Sequence, residues 1–537
     1  MLRKIKRNLS ILLIVCMLSC VAISVPIISK ANENAGPDVS VKISGVDQEY
    51  LEKDEETAAV NTDANISTDL LQDTLTNTAV VDINSTNQLL KYLVNPSYWN
   101  KFKVFRPSVV DNSNSKYFPP IINQGSLNSC TTWSTVYYQM SYAVNKELNR
   151  DGKLIENQFS PTWIYNMANE GENKGNFYAD ILKILSEIGA VPMTMVPATI
   201  SDVGDNVRNV KTDKKLWLEA SKYRVKEYYS IDLKKESTEP VVTSPKDEDL
   251  ETIKKALAIG EVLTGTTYSY KWQTSRIEEN SKVSANKKYV GDYIVTKTSG
   301  TAKGAHRITI VGYNDDIWVD INENGIVEKA EKGAFKIANS YGSEKHNNGF
   351  VWMSYDAINN VSALSEVGEV EEGRSPGLFD VIGFSVDLDD KDDEVYAVLD
   401  VQTKDLKSLN VKITATDKEG NSYEYEPAPF TNSMIRGMGP YPFNSTVNGD
   451  KGEFYIDLKN VTDKVTKNSL SDYDWNFEIA DSSPENEIAI NSVKVYTKED
   501  KSYTKSYIDE PVVLDSTTAN IIISREDTGY LSLARFF

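Results

Sequence analysis

The sequence predicts an α+β protein in which a domain with a helical half and a β half precedes an all-β sandwich. The chain has 537 residues, too many for one hydrophobic core, so two or three domains are expected. Between residues 105 and 368 helical periodicity gives way to strand-like runs. From residue 372 to residue 537 short alternating runs follow one another, separated by turn residues.

The first 31 residues predict a secretory signal peptide. A basic start is followed by an apolar run from Ile11 to about Ile28, and Ser29-Lys30-Ala31 offers small residues for cleavage. The apolar run is nearly as long as a membrane span, so an uncleaved anchor is the alternative. Removing residues 1–31 takes away five basic and no acidic residues and changes the net charge from −20 to −25. Such a surface repels phosphate backbones, which argues against nucleic acid as a partner.

Cysteine and histidine are both scarce. The cysteines are Cys16, Cys20 and Cys130, and the first two fall within the predicted signal peptide. An exported chain would then carry one thiol and no disulfide, and a lone thiol outside the cell is a liability unless it is buried or used. The two histidines are His306 and His346, so any Cys–His chemistry must use one of them.

Residues 32–104 are polar and poor in aromatics, which predicts a low-complexity N-terminal segment and a candidate prosegment. From Cys130 to Leu148 apolar residues recur at three- and four-residue steps, which predicts a helix that begins at the cysteine. Asn128 and Ser129 stand just before it as candidate caps.

The rest of the mixed domain is predicted in two parts. Helices are expected at 177–188 and 249–258, each followed by a glycine, and strands at 306–313 and 333–339. Residues 204–248 form a charged insertion without a clear pattern. The sandwich, of unassigned role, is predicted from five alternating runs: 394–402, 409–416, 453–458, 475–480 and 488–497.

The candidate site begins with Cys130. A thiol with the ordinary pKa of about 8.5 is only slightly ionised at neutral pH. A helix N-terminus and a neighbouring imidazolium both favour the thiolate. An inert buried cysteine is the alternative reading of this position.

His306 opens one predicted strand, and Asn339 closes the next. If the two strands pair as an antiparallel hairpin, these residues become neighbours, and the amide can hold the imidazole in one tautomer. Gln124, six residues before Cys130, can donate to an oxyanion together with the Cys130 N–H. His346 lies in a polar run and is expected to be solvated.

These residues resemble those of the papain-like cysteine peptidases. The stretch PPIINQGSLNSCTTWS at 119–134 resembles the family's nucleophile segment, with the same Gln-to-Cys spacing. The blocks at 159–161, 304–313, 336–342 and 349–350 resemble its further motifs in the same order, over roughly 105–355. The resemblance implies a two-lobed fold with Cys130 as nucleophile, His306 as base, Asn339 as orienting residue and Gln124 as oxyanion donor.

The chain also departs from the family pattern. Leu127 replaces a neighbouring cysteine, and Thr131 and Tyr341 each replace a tryptophan beside the catalytic residues. The paired glycines of the family's substrate wall are only approximated by Gly171 and Gly175, so substrate specificity cannot be carried over.

The function that follows is a secreted endopeptidase, extracellular or at the cell surface, that acts on proteins or peptides without a cofactor for catalysis. One alternative is a Cys–His cell-wall amidase, which the separation of 176 residues between Cys130 and His306 disfavours. The other is a surface binding protein with a vestigial peptidase domain, in which the sandwich would hold a cell-surface ligand.

A structural calcium site is a further expectation. Residues 320–331 fit a twelve-residue calcium loop at every defined position, with a glycine at the sharp turn. No helices flank the loop, so a plain acidic hairpin turn is the alternative. The predicted ligands are Asp320, Asn322, Asn324, Ile326, Glu328 and Glu331.

Overall fold

The structure is a computed structural model. It describes residues 106–204, 206–233, 247–299, 305–358, 362, 364, 374–388, 396–428, 430, 437–443, 450–458, 461, 473–496 and 503–523. The predicted signal peptide and the segment 32–104 lie outside these residues. Within the described parts, no helix has the length and apolar character needed to cross a membrane.

A long helix starts at Cys130, as predicted. It comprises α1 (Cys130–Thr132), a π-helical stretch (Trp133–Met140) and α2 (Ser141–Glu147). All eight residues of the π-helical stretch are buried. A π-helix is rare and is found most often next to functional sites.

The other helices in the described residues surround this one or cover the sheet. The predictions for 177–188 and 249–258 are confirmed by α4 and α6, and each helix is followed by a glycine with positive φ, Gly189 and Gly260. The described part of the charged insertion includes helix α5 and strand β2, and α6 begins at its end. The bounds are α3 (Pro161–Tyr165), α4 (Tyr178–Glu187), α5 (Lys214–Ala220) and α6 (Asp247–Ala258).

A ten-stranded sheet forms the β half of the first domain. Its main path runs in the order β2-β10-β3-β6-β7-β8-β5-β4, with β1 paired to β6 and β9 paired to β5. The strands are β1 (Val109–Asp111), β2 (Arg224–Asp232), β3 (Leu263–Thr267), β4 (Trp272–Arg276), β5 (Tyr293–Ser299), β6 (His306–Trp318), β7 (Lys332–Ala338), β8 (Phe350–Ser354), β9 (Arg374–Ser375) and β10 (Asp380–Asp387).

The predicted hairpin is confirmed. Strands β6 and β7 pair antiparallel, with Thr309 opposite Ala338 and Ile310 opposite Ile337. His306 therefore begins one strand, and Asn339 directly follows the end of its partner.

The boundary predicted at residue 372 needs correction. Strand β10 pairs with both β2 and β3 inside the ten-stranded sheet. The sheet of the first domain thus extends to Asp387, and the sandwich strands begin at Tyr396. An alternating pattern identifies a strand but not the sheet it joins, because pairing is decided by residues far away along the chain.

The C-terminal part forms two four-stranded antiparallel sheets, ordered β14-β11-β16-β17 and β13-β12-β15-β18. Alternate residues of β12 are buried, as the sequence pattern indicates. The strands are β11 (Tyr396–Thr403), β12 (Leu409–Thr416), β13 (Ser422–Tyr425), β14 (Lys451–Asp457), β15 (Asp474–Asp481), β16 (Ile488–Tyr496), β17 (Tyr503–Leu514) and β18 (Thr518–Ile523).

The sandwich shares one hydrophobic core with the helical half. Trp217 of α5 packs edge-on against Phe454 of β14 with ring centroids 6.0 Å apart, and against Trp163 of α3 at 5.6 Å. Glu187 of α4 accepts hydrogen bonds from Tyr425 Oη at 3.0 Å and from the Ala428 N–H at 2.8 Å. The sandwich is therefore packed onto the helices over apolar and polar contacts alike.

Candidate active site

Cys130 lies at the first turn of the long helix and is fully buried. Ser129 occupies the cap position, but its side chain makes no capping hydrogen bond, so the prediction of a side-chain cap is wrong. The positive end of the helix dipole consequently faces the sulfur without a capping oxygen from Ser129 to offset it. The N–H of Arg307 donates to Cys130 Sγ at 3.5 Å, which brings the start of β6 against the thiol.

His306 and Asn339 come together as predicted. His306 Nε2 lies 2.8 Å from Asn339 Oδ1, and both residues are 2% exposed. The Ser340 N–H donates to the same Oδ1 at 2.7 Å.

The hydrogen bond from the Ser340 N–H identifies which side-chain atom of Asn339 faces His306, and with it the tautomer of the imidazole. A backbone N–H can only donate, so the side-chain atom that it meets must be the amide oxygen of Asn339. The oxygen can only accept, so His306 Nε2 must carry a hydrogen. In a neutral imidazole the other nitrogen, Nδ1, is then the basic one and can take a proton from a thiol.

Tyr341 covers the imidazole. Its ring stacks on that of His306 with centroids 4.7 Å apart and an interplanar angle of 13°. An aromatic face there excludes water from the His306–Asn339 hydrogen bond, which strengthens it. Tyr341 thus supplies an aromatic ring beside the His306–Asn339 pair.

Gln124 is fully buried and is tied to the same strand end as Asn339. Its N–H donates to Ser340 O at 2.8 Å, and its Oε1 accepts from Ser340 Oγ at 2.5 Å. Its Nε2 donates to Leu127 O at 2.8 Å. An amide NH₂ group carries two hydrogens, so this bond uses one of the two donors of Nε2.

Two functional features escaped the sequence reasoning. Ser340 links Gln124 to Asn339 through bonds from its N–H and its hydroxyl, and only its place directly after Asn339 hints at this. Arg307, the residue after His306, is buried and forms an ion pair with Asp380 of β10 at 2.7 Å. The second feature depends on the pairing of β10, which the sequence does not reveal.

His346 is half-buried rather than solvated, which corrects the expectation. Its ring packs edge-on against Tyr293, with centroids 5.4 Å apart, and lies 6.4 Å from the ring of Trp272. Burial, followed by the nearby charges of Lys345 and Arg276, lowers the pKa of His346 below its ordinary value. The His346 ring thus lies against aromatic side chains of β4 and β5.

The predicted calcium loop is closed by its own hydrogen bonds. Asp320 Oδ2 accepts from the Gly325 N–H at 2.7 Å, and Asn324 Oδ1 accepts from the Ile326 N–H at 2.7 Å. Asn322 Nδ2 donates to Glu328 Oε2, also at 2.7 Å.

Glu331 is buried and faces inward. Its oxygens accept from Trp318 Nε1 at 2.5 Å and from the Ile321 N–H at 2.8 Å. The Glu328 N–H donates to Glu331 Oε2 as well, at 3.4 Å, so calcium would have to replace three donors at Glu331. In the described parts of the chain, no three His, Cys, Asp or Glu side chains form a group that could hold a metal ion. The calcium site stays a prediction.

The fold and the site define a mixed α and β protein with a buried thiol at a helix start, beside a His–Asn pair on a hairpin. The solved structures that resemble it are papain-like cysteine proteases. The cysteine protease xylellain from Xylella fastidiosa is 16% identical, covers 53% of this chain and 88% of its own, and has a TM-score of 0.34. The procathepsin B S9 from Trypanosoma congolense is 14% identical, covers 53% of this chain and 80% of its own, and has a TM-score of 0.35. No family model matches the chain, and no curated protein does.

Proposed function

We propose that the chain is a secreted papain-like cysteine endopeptidase that hydrolyses peptide bonds through a thioester acyl-enzyme. One observation carries the proposal. His306 Nε2 lies 2.8 Å from Asn339 Oδ1. The backbone nitrogen of Arg307, the residue after His306, lies 3.5 Å from Cys130 Sγ. A buried thiol beside an oriented imidazole is the arrangement that nucleophilic catalysis needs.

We assign each step of peptide hydrolysis to a residue of this chain. His306 Nδ1 takes the thiol proton, and Cys130 Sγ attacks the carbonyl carbon of the substrate. The Cys130 N–H and the Gln124 amide donate to the oxyanion that forms. His306 gives its proton to the leaving amine as the C–N bond breaks. It then removes a proton from a water molecule, whose oxygen bonds to the acyl carbon. The C–S bond breaks, and the proton passes from His306 back to Cys130 Sγ.

Location and partners belong to the same proposal. Export is supported by the sequence of residues 1–31, and the acidic chain, with its net charge of −20, disfavours nucleic acid. The substrates are proteins or peptides. A cell-surface ligand of the sandwich is a further proposal that rests only on the position of that domain.

The test compares the two histidines. Cys130→Ala and His306→Ala should each abolish cleavage of a protein substrate, whereas His346→Ala should retain it, because His346 packs on Tyr293 and Trp272. A thiol-directed epoxide should modify wild type at Cys130, as read by mass spectrometry. Equal loss from His346→Ala contradicts the assignment. A folded protein that the epoxide does not modify favours the vestigial domain, and activity on cell-wall peptides alone favours the amidase.

A further inference from the structure

The segment 169–176, here called the wall segment, lies directly beside the nucleophile. The Asn128 N–H donates to Asn173 Oδ1 at 2.7 Å, and Asn128 Nδ2 donates to Asn173 O at 2.8 Å. On the other side of Cys130, Thr131 Oγ1 donates to Asn176 O at 3.0 Å. Asn128, two residues before Cys130, and Thr131, directly after it, are therefore both bonded to the wall segment, so a shift of the wall segment changes what borders the sulfur.

The opposite edge of the wall segment rests on the sandwich. The contact is made by residues 437–443, here called the sandwich loop. The Glu170 N–H donates to Gly437 O at 3.0 Å. Gly439 lies so close that a Cβ on it would come within 2.3 Å of Glu170 O. Two backbones can meet at this distance only where a side chain is missing.

Tyr441 holds the contact from the side. A Cβ on Gly171 would lie 2.4 Å from Tyr441 Cδ2, so the ring packs directly on the wall backbone. Arg208 lies over the same ring, with its Cζ 4.3 Å from the centroid, and its Nε donates to Gly171 O at 3.1 Å. The aromatic ring and the guanidinium together clamp Gly171.

A salt bridge adds little to this clamp. Lys407 Nζ lies 3.3 Å from Glu170 Oε1, but the lysine side chain is 56% exposed. Exposed pairs of this kind contribute little to stability. The ring of Tyr441 and the close approach of Gly439 are thus the main contacts between the wall segment and the sandwich loop.

We propose that the C-terminal sandwich determines how a peptide binds next to Cys130, with Tyr441 as the positioning residue. The inference rests on the proposed peptidase function. A peptide that extends past the reacting bond must lie along whatever borders the nucleophile, and its binding energy depends on an ordered surface there. A small thiol reagent makes no such contacts. Loosening the wall segment should therefore affect peptides and spare small reagents.

The test measures the rate at which Cys130 of the full chain is labelled by two reagents, iodoacetamide and a peptidyl epoxide. Tyr441→Ala should slow labelling by the peptidyl epoxide about tenfold and leave the iodoacetamide rate within about twofold of wild type. On a peptide substrate the same variant should raise KM and keep kcat. Tyr441→Phe retains the ring and should behave as wild type.

A second variant works by displacement instead of truncation. Gly439→Ala should give the same selective loss, because its new Cβ must push Glu170 away. Gly439 does not occupy the left-handed region, so the backbone can accept alanine. Ser422→Ala, at an exposed end of β13 far from the wall segment in sequence, is the control for a sandwich substitution as such.

The outcomes separate the two hypotheses. A wild type that reacts with iodoacetamide at Cys130 but neither takes the peptidyl epoxide nor cleaves peptides overturns the peptidase proposal, and the inference falls with it. An active wild type with folded Tyr441→Ala and Gly439→Ala variants that keep both labelling rates overturns the inference alone. So does an equal fall in both rates, because the substitutions would then act on the thiol itself. Melting curves show which variants are folded.

Discussion

Replacing Asn339 with alanine isolates the hydrogen bond that orients the catalytic imidazole. His306 is 2% exposed, and its Nε2–H donates to Asn339 Oδ1 at 2.8 Å. Alanine removes the acceptor and leaves a buried donor without a partner. A loss of this kind costs about 1–3 kcal/mol. Because a charged imidazolium donates a stronger hydrogen bond than a neutral imidazole, the cost should appear in the rate, as a fall in kcat of roughly 5- to 150-fold.

Asn339→Asp is the matched variant. A carboxylate can accept from both His306 Nε2 and the Ser340 N–H, so the imidazole keeps its orientation. The added negative charge stabilises the imidazolium, so the alkaline limb of the kcat/KM profile should move to higher pH. At neutral pH, kcat of Asn339→Asp should stay within about tenfold of wild type. The hydrogen bond is kept, and a change in its strength is worth no more than about 1 kcal/mol.

The assay is steady-state hydrolysis of a fluorogenic peptide across pH 5–9, with the active-site concentration titrated by a thiol-directed epoxide. Melting temperatures should be recorded beside it, since Asn339 also holds the Ser340 N–H at 2.7 Å. Wild-type kcat in a folded Asn339→Ala protein would refute the orienting role. If kcat fell as far in Asn339→Asp as in Asn339→Ala, accepting the His306 Nε2–H bond would not be the property of Asn339 that supports catalysis.

Three further predictions concern activation, metal and pH. We expect residues 32–104 to be removed or displaced in the active form, so N-terminal sequencing of active secreted enzyme should find a start near 100–110, and full activity in a species that starts at Asn32 would contradict this. We expect millimolar calcium to raise the melting temperature of wild type but not of an Asp320→Ala, Glu331→Ala double variant; an unchanged wild type leaves a plain hairpin turn. Burial raises the pKa of Glu187. The folded protein therefore binds the carboxyl proton of Glu187 more tightly than the unfolded chain does. The free energy of unfolding should fall as pH rises from the ordinary carboxyl pKa through the raised pKa of Glu187. Glu187→Gln can still accept from Tyr425 and Ala428; its melting temperature should vary less between pH 4.5 and 7, and a pH dependence equal to that of wild type would show that Glu187 is not its source.

Local patterns predicted the parts of the fold that local chemistry decides. Strand β12 was expected at 409–416 and spans those residues, because each of its side chains alternates between core and surface. The β6–β7 hairpin followed from two alternating runs near each other in the chain. The His306–Asn339 pair came with it, because hairpin pairing leaves little freedom at the strand ends.

What was missed depends on contacts between distant residues. β10 directly precedes the alternating runs of the sandwich, yet it joins β2 and β3, about 150 and 117 positions earlier. The ion pair between Arg307 and Asp380 follows from that pairing alone. The π-helical stretch after Cys130 was also missed, since apolar residues at three- and four-residue steps fit an ordinary helix equally well.

The contacts of Ser340 imply that the oxyanion donor and the orienting residue do not act independently. Ser340 donates through its N–H to Asn339 and through its hydroxyl to Gln124, which lies 216 positions away along the chain. A substitution at Ser340 therefore disturbs both the imidazole and the oxyanion donor, although its own atoms take no part in the reaction. Residues in one buried network show coupled effects, so losses from Gln124→Ala and Asn339→Ala should not simply add. The buried serine joins two residues with proposed catalytic roles that the sequence presents as separate motifs.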